Sequence, residues 1–406
     1  MRTVGLIVEY NPLHNGHVYH YEQSRLAADA DAVVAVMSGH FLQRGEPAIM
    51  NKWARAECAL HMGADIVIEL PVRYAISAAE WFAYGAVSLL NATGIVDAVC
   101  FGSELGDIAP LRDAARELSD ESRAFRSLLR SELKKGLPYP AAYHNAAQGV
   151  VPSAEPNNTL GLHYLIALQR LGSAIEPLTV RRVAAGYHEP RIGTGDGQIA
   201  SATAIRRAVF EAGGDMTAAQ RYMPAYTVAA LLREQRLGRA PLQWEAFATP
   251  LLHMLTGTPA ARLAELEEVD EGLEHRLAKT IAAMKDEPFS VRQLLAELKT
   301  RRYTYAKLQR MLVRILLQHP KTTCTAEAMN GGPGYIRVVG FYRKGRSLLK
   351  LMKAKATWPV IAKVKRAHAE LLGDDIRATS VYTLGYKSPL VRDALRDYYE
   401  PPVQLP

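Results

Sequence analysis

Cysteine is scarce. Cys58, Cys100 and Cys324 are odd in number and far apart, which argues against a disulfide framework and against a cysteine-built zinc site. Such usage fits a reducing compartment, so a cytoplasmic location is expected. No apolar run approaches the ~18 residues of a membrane-spanning helix, and no membrane association is expected. The first residues, MRTVGLIVEYNP, lack the apolar core and small-residue cleavage site of a signal peptide. Internal repeats and low-complexity tracts are absent. Carboxylates are missing from one region in particular. Residues 299–330 carry 7 Lys/Arg against 1 acid, and residues 331–406 carry 14 against 6, whereas the preceding 298 residues carry 28 against 34. An acidic body with a basic C-terminal quarter points to a polyanionic partner docking at that end.

The apolar residues that are present alternate between strand-like and helix-like blocks. TVGLIVEY (3–10), AVVAVM (32–37), DIVIELP (65–71) and DAVCFGSE (97–104) read as buried parallel strands. Helical patterns follow them at 17–29, 52–62, 77–91 and 108–136, and a further helix ends near residue 172, with Asn158 or Thr159 as its expected N-cap. A fifth strand is expected near 178–184. This succession predicts an α/β fold with a Rossmann-like parallel sheet, which places ligands outside the carboxyl ends of the strands. Residues 1–212 are expected to form that domain. Residues 213–330 read as a helical, partly basic domain and 331–406 as a small basic α/β module.

The chemistry concentrates at two places. HNGH, His14 to His17, lies where the first strand turns into a helix. A helix start offers unpaired N–H groups and a positive dipole end, both suited to phosphate. Two imidazoles there can donate to phosphoryl oxygens and stabilise charge developing on the α-phosphate or on departing pyrophosphate. Gly16 allows close approach. A histidine metal site would need His20 as third ligand; phosphate is the preferred reading and no metal site is expected. The second place is IASATAIR, where Ser201, Thr203 and Arg206 set hydroxyls and a guanidinium at another helix start. The preceding glycine-rich stretch, Gly193 to Gly197, reads as a loop and not a dinucleotide fingerprint. In the loop after the second strand, Arg44, Lys52 and Arg55 are candidate phosphate or RNA contacts. Gln43 and Glu46 are candidates to touch a target base or a small acid. Glu9 reads either as a substrate-side carboxylate or as a buried structural one. In the basic quarter, Arg301, Arg302, Lys307, Arg343 and Lys344 stand among Tyr303, Tyr305, Phe341, Tyr342 and Trp358. Cations there can hold RNA phosphates and aromatics can stack on exposed bases.

HNGH resembles the HxGH signature of the nucleotidylyltransferase superfamily, and IASATAIR resembles its late ISSTxIR motif, with Ala202 where a second serine is common. GLIVEYNPLHNGHVYH, SGHFLQRGEPAIMNKWARAECAL, GADIVIELP, FGSE, EPNNTLGLHYLIAL and YHE with IASATAIR together resemble, in order, the bacterial tRNA(Met) cytidine acetate ligase family. The similarity continues more weakly to the C-terminus. It implies that acetate attacks the α-phosphate of ATP to give acetyl-adenylate and pyrophosphate. The N4 amine of the wobble cytidine of elongator tRNA(Met) then takes the acetyl group, giving N4-acetylcytidine. It further implies ATP as substrate, Mg2+ accompanying it and no use of acetyl-CoA; no protein partner is expected.

By the same resemblance the ATP-binding segment is Ile7, Val8, Glu9, Tyr10, Asn11, Pro12, Leu13, His14, Asn15, Gly16, His17, Val18, Tyr19 and His20, with His14 and His17 catalytic. Gly102 corresponds to the glycine beneath the nucleotide, Asn157 to a ligand-contacting asparagine and Arg182 to an arginine of the nucleotide site. Two other readings are a nucleotidylyltransferase acting on a small metabolite and a non-catalytic RNA-binding protein. The first leaves the basic last quarter without a purpose, and intact phosphate motifs argue against the second.

Overall fold

A computed structural model describes residues 1–119, 123–136, 142, 145–146, 155–182 and 199–406. The Gly193 to Gly197 loop and the far end of the expected fifth strand lie outside the described residues. Five parallel strands form the centre: β1 (Thr3–Val8), β2 (Ala32–Ser38), β3 (Ile66–Leu70), β4 (Ala98–Ser103) and β5 (Glu176–Arg181). Their order is β5-β4-β1-β2-β3, with Thr3 beside Ala32, Val4 beside Ala98 and Ala98 beside Glu176. This is the Rossmann-like arrangement expected. Because β1 lies between β2 and β4, the crossover direction reverses there, which opens a crevice at the carboxyl ends of β1 and β4.

The strands read as continuous apolar runs because helices cover both faces. Val34, Val36, Ile66 and Ile68 pack into one core, whereas Val33, Ala35, Met37 and Val67 point into the other, following the period of two in a strand. Helix α1 (Asn15–Ala27) follows β1 and helix α2 (Lys52–Met62) follows the loop after β2. Gly63 ends α2 with a positive φ of 122°.

Residues 331–406 do not form a module of their own. Strand β6 (Ile336–Phe341) pairs antiparallel with β3 and carries β7 (Val360–Ile361) and β8 (Val403–Gln404) on its other side. The C-terminal segment therefore extends the central sheet to eight strands. A third core gathers the helices of the middle region, and Phe41 from the loop after β2 and Tyr382 from the C-terminal helix Gly373–Thr383 are part of it. The three sequence regions thus share cores, and the boundaries expected near 212 and 330 do not separate independent packing units.

Candidate active site

The crevice at the ends of β1 and β4 encloses about 1650 Å3 of atom-free space, mouth included. Its lining brings together Ile7, Val8, Glu9, Tyr10, Asn11, His14, Gly16, His17, Tyr19 and His20 with Gly102, Asn157, Arg182, Ser201, Thr203 and Arg206. Pro12, Leu13, Asn15 and Val18 belong to the same turn and helix start but do not face the cleft. Leu13 is buried, and the Asn15 amide donates to the Arg221 carbonyl at 3.1 Å.

The helix begins two residues earlier than periodicity predicts, because His14 is its N-cap. The Nδ1 of His14 accepts the Gly16 N–H at 3.0 Å, and the Nδ1 of His17 accepts the His14 N–H at 3.2 Å. The rings stack with centroids 3.8 Å apart. Each imidazole uses Nδ1 as an acceptor, so in the neutral form each carries its proton on Nε2. Burial, reinforced by Arg182 and Arg206, pushes the pKa of His14 down to about 3. Burial also lowers His17 well below its usual range, with His14, His20 and Arg182 adding to the effect. His20 is lowered to about 4 by burial and by Arg182. Near neutral pH the site therefore presents neutral N–H donors at the positive end of a helix.

Gly16 is required by the cap itself. A Cβ there would lie 2.9 Å from Cε1 and 3.0 Å from Nδ1 of His14. At Gly102 a Cβ would come within 3.2 Å of the Arg182 side chain and 3.8 Å of His20, so the absent side chain leaves room where β4 meets the cleft. Neither Asn158 nor Thr159 caps the helix, which runs from Pro156 to Arg170 with Glu155 at the cap. Asn157 donates to the Glu104 carboxylate. That carboxylate also takes the Asn158 N–H at 3.0 Å, and Asn158 Oδ1 accepts the Glu104 N–H at 3.0 Å. The FGSE turn and the PNN helix start are thereby clamped together. Ser201 caps the helix Ala202–Glu211 by accepting the Ala204 N–H at 3.2 Å. Arg206 donates to the Asn11 carbonyl at 2.8 Å and pairs with Glu46 at 2.7 Å. Glu9 takes the Gln43 N–H at 2.7 Å, and burial, with Glu46 nearby, moves its pKa upward despite that bond.

Sequence reasoning missed the apolar end of the cleft, formed by Phe82, Phe101, Leu160 and Tyr164. The signal was available. Asn157, Leu160 and Tyr164 recur at helical spacing on one face, and Phe101 adjoins Gly102. The Phe101 and Tyr164 rings lie 5.7 Å apart, an apolar wall suited to a planar ring.

The model of the HIGH Nucleotidyl Transferase family matches residues 1–397. A tRNA(Met) cytidine acetate ligase of Bacillus velezensis is 40% identical over 96% of this chain and 94% of its own, and that of Bacillus subtilis is 37% identical over 100% and 97%. The chain belongs to the tRNA(Met) cytidine acetate ligase family. Among solved structures, Thermotoga maritima TmcAL bound with alpha-thio ATP is similar at 33% identity with a TM-score of 0.88. The apo form of that protein is similar at 34% and 0.89, and both cover the whole of each chain.

Several residues expected to face RNA in this family member have other duties. Lys52 is fully buried and pairs with Glu69 and Asp397, at 2.8 and 2.9 Å. Arg55, equally buried, donates to the carbonyls of Met50, Glu9 and Gly39. Neither can reach a tRNA, and Arg55 instead holds the chain at the ends of β1 and β2. Arg44 is exposed and lines the cleft. Arg301 and Arg302 are exposed, although Arg302 pairs with Glu271. Lys307 lies over the Tyr303 ring at 5.4 Å. Lys344 donates to the Asp31 carbonyl, which precedes β2. Lys344 and its neighbour Arg343 therefore sit near the amino-terminal end of β2, away from the cleft at the carboxyl ends. Tyr303, Phe341 and Trp358 are packed inward, while Tyr305 and Tyr342 remain exposed. Among the described residues, no cluster of three or more His, Cys, Asp or Glu is arranged to hold a metal ion, and no helix is long and apolar enough to cross a membrane.

Proposed function

We propose that this chain is an ATP-dependent ligase that activates acetate as acetyl-adenylate and transfers the acetyl group to N4 of the wobble cytidine of elongator tRNA(Met). The observation that carries this reading is the pair of stacked, neutral imidazoles at the start of α1, facing Ser201, Thr203 and Arg206 across one cleft. His14 and His17 direct Nε2–H groups at phosphate oxygens. The α1 dipole and Arg182 supply positive potential without a mobile proton. An acetate oxygen attacks the α-phosphorus, a P–O bond forms and pyrophosphate departs. The donors stabilise the negative charge as it spreads over the phosphoryl oxygens. The apolar wall of Phe101 and Tyr164 receives the adenine. Mg2+ travels with the ATP phosphates, and acetyl-CoA takes no part.

The test is incubation with ATP, isotopically labelled acetate and tRNA(Met), followed by nucleoside digestion and mass analysis. Labelled N4-acetylcytidine is expected at the wobble position. Labelled acetyl-adenylate with no labelled nucleoside would refute the tRNA step, and no acetate-dependent pyrophosphate release would refute the whole reading.

A further inference from the structure

A second groove adjoins the cleft and shares three residues with it: Glu46, Thr203 and Arg206. We propose that this groove seats the target cytidine and its flanking nucleotide, and that Glu46, at the junction, accepts hydrogen bonds from the exocyclic amine that becomes acylated. The inference rests on the function proposed above.

The groove has the chemistry of a single-stranded RNA seat. Phe210 and the largely buried Trp244 line it, Tyr305 lines it with 37% of its surface exposed, and the exposed Arg292 and Arg207, the latter paired with Glu211 at 2.6 Å, also contribute to the lining. Aromatic faces stack on splayed bases and guanidinium groups hold the adjoining phosphates. Tyr305 opens the helix Tyr305–Leu317, which continues the basic stretch from residue 299. That helix lies against the loop after β2, since a Cβ on Gly45 would meet the Arg310 backbone nitrogen. One part of the basic quarter is thus brought to the mouth of the cleft, unlike Arg343 and Lys344.

Glu46 is the discriminating group. Its carboxylate is an acceptor only, and Arg206 holds it from the cleft side at 2.7 Å. Cytosine presents an amine donor at C4, whereas uracil presents a carbonyl acceptor there. A fixed carboxylate therefore favours the base that can be acylated and repels the one that cannot. In the transfer step the amine nitrogen forms a C–N bond with the acetyl carbonyl carbon. The mixed-anhydride C–O bond breaks, AMP leaves with the electron pair, and the surplus amine proton passes to Glu46 and then to solvent.

The test separates the two half-reactions in the full-length enzyme. Acetate-dependent ATP–pyrophosphate exchange reads activation, and acetyl transfer to tRNA(Met) reads the second step. Tyr305→Ala and Arg292→Ala are expected to raise the KM for tRNA about 10-fold, while Tyr305→Phe, which keeps the ring, restores it. Glu46→Gln is expected to lower transfer at least 10-fold more than it lowers exchange. Thermal unfolding confirms that the variants fold. Wild-type KM values in Tyr305→Ala and Arg292→Ala, or equal losses of exchange and transfer in Glu46→Gln, would overturn the inference. A wild-type enzyme that makes no N4-acetylcytidine would instead refute the function on which it rests.

Discussion

Replacing Gly16 with alanine separates stability from activity. Gly16 is the second residue of α1, and its N–H donates to the His14 ring. In the helix interior alanine is favoured over glycine by about 1 kcal/mol. Against this, the new Cβ would stand 2.9 Å from Cε1 of His14, inside the roughly 3.5–4 Å of a comfortable carbon contact. The imidazole must retreat by roughly 0.5–1 Å, which stretches or breaks the cap, and loss of an N-cap costs about 1 kcal/mol. These contributions oppose each other, so the net stability change is expected to stay within about 1 kcal/mol. Catalysis has no such compensation. His14 moves relative to the phosphate, its stack on His17 is disturbed, and a displacement near 1 Å costs on the order of 100-fold in rate. Denaturant unfolding and acetate-dependent ATP–pyrophosphate exchange measure the two effects. Exchange at the wild-type rate would refute the assignment of His14 as both cap and phosphate donor. A stability loss of several kcal/mol would show instead that the cap dominates the fold.

The buried charges and the histidines give further expectations. Lys52→Met leaves Glu69 without its cation and Asp397 with Arg337 alone, and removal of one partner from a buried pair costs about 3–5 kcal/mol; urea titration should register that loss, whereas a selective loss of tRNA affinity in a fully stable variant would contradict the burial. Arg55→Lys is expected to reduce exchange activity with only a modest change in tRNA KM, because an ammonium cannot satisfy the Glu9, Gly39 and Met50 carbonyls in the fork geometry of Arg55; steady-state kinetics for both substrates checks it. The pKa of His14 is near 3 and that of His20 near 4 in the folded chain, below the ~6.5 of an unfolded histidine. The unfolded state therefore binds more protons in that window, and ligand-free stability should fall as pH drops from about 6.5 toward 3. A series of Tm values against pH should show a shallower fall in His14→Gln; an unchanged slope would mean that His14 is not held neutral.

The sheet was legible because parallel strands buried on both faces announce themselves as β-branched runs with polar residues just beyond their carboxyl ends. Part of the cleft lining was legible for the same reason: Asn11 and Gly102 stand at the carboxyl ends of β1 and β4, where such a sheet puts its ligands. What sequence alone could not supply was depth. Lys52 and Arg55 look like surface cations in a loop-to-helix stretch, and nothing local reveals that Asp397, at the far end of the chain, closes the ion pair. The start of α1 was misplaced because a histidine performs the capping that Ser, Thr, Asp or Asn usually does. The α/β character of residues 331–406 was recognisable, but the partner of β6 was not. An antiparallel addition to β3 leaves no trace in spacing, so the C-terminal quarter read as a module of its own.

On the function proposed above, neutral histidines are a physically economical choice beside ATP. Cationic side chains bind the ground-state triphosphate strongly, and tight binding that is equal in ground and transition states does not accelerate the chemical step. Here the permanent charge is placed on Arg182 and Arg206, and Glu46 balances part of the latter. The imidazoles, depressed by burial and by those same guanidinium groups, contribute directed dipoles instead of net charge. Both Nδ1 atoms are committed to backbone N–H groups, so the rings are fixed before substrate arrives and little reorganisation is left for the moment of reaction. A lysine at position 14 or 17 could supply charge, but it could neither cap α1 nor hold a single donor direction. The HxGH spacing thus does two things with the same atoms: it starts the helix, and it aims two hydrogen-bond donors into the cleft.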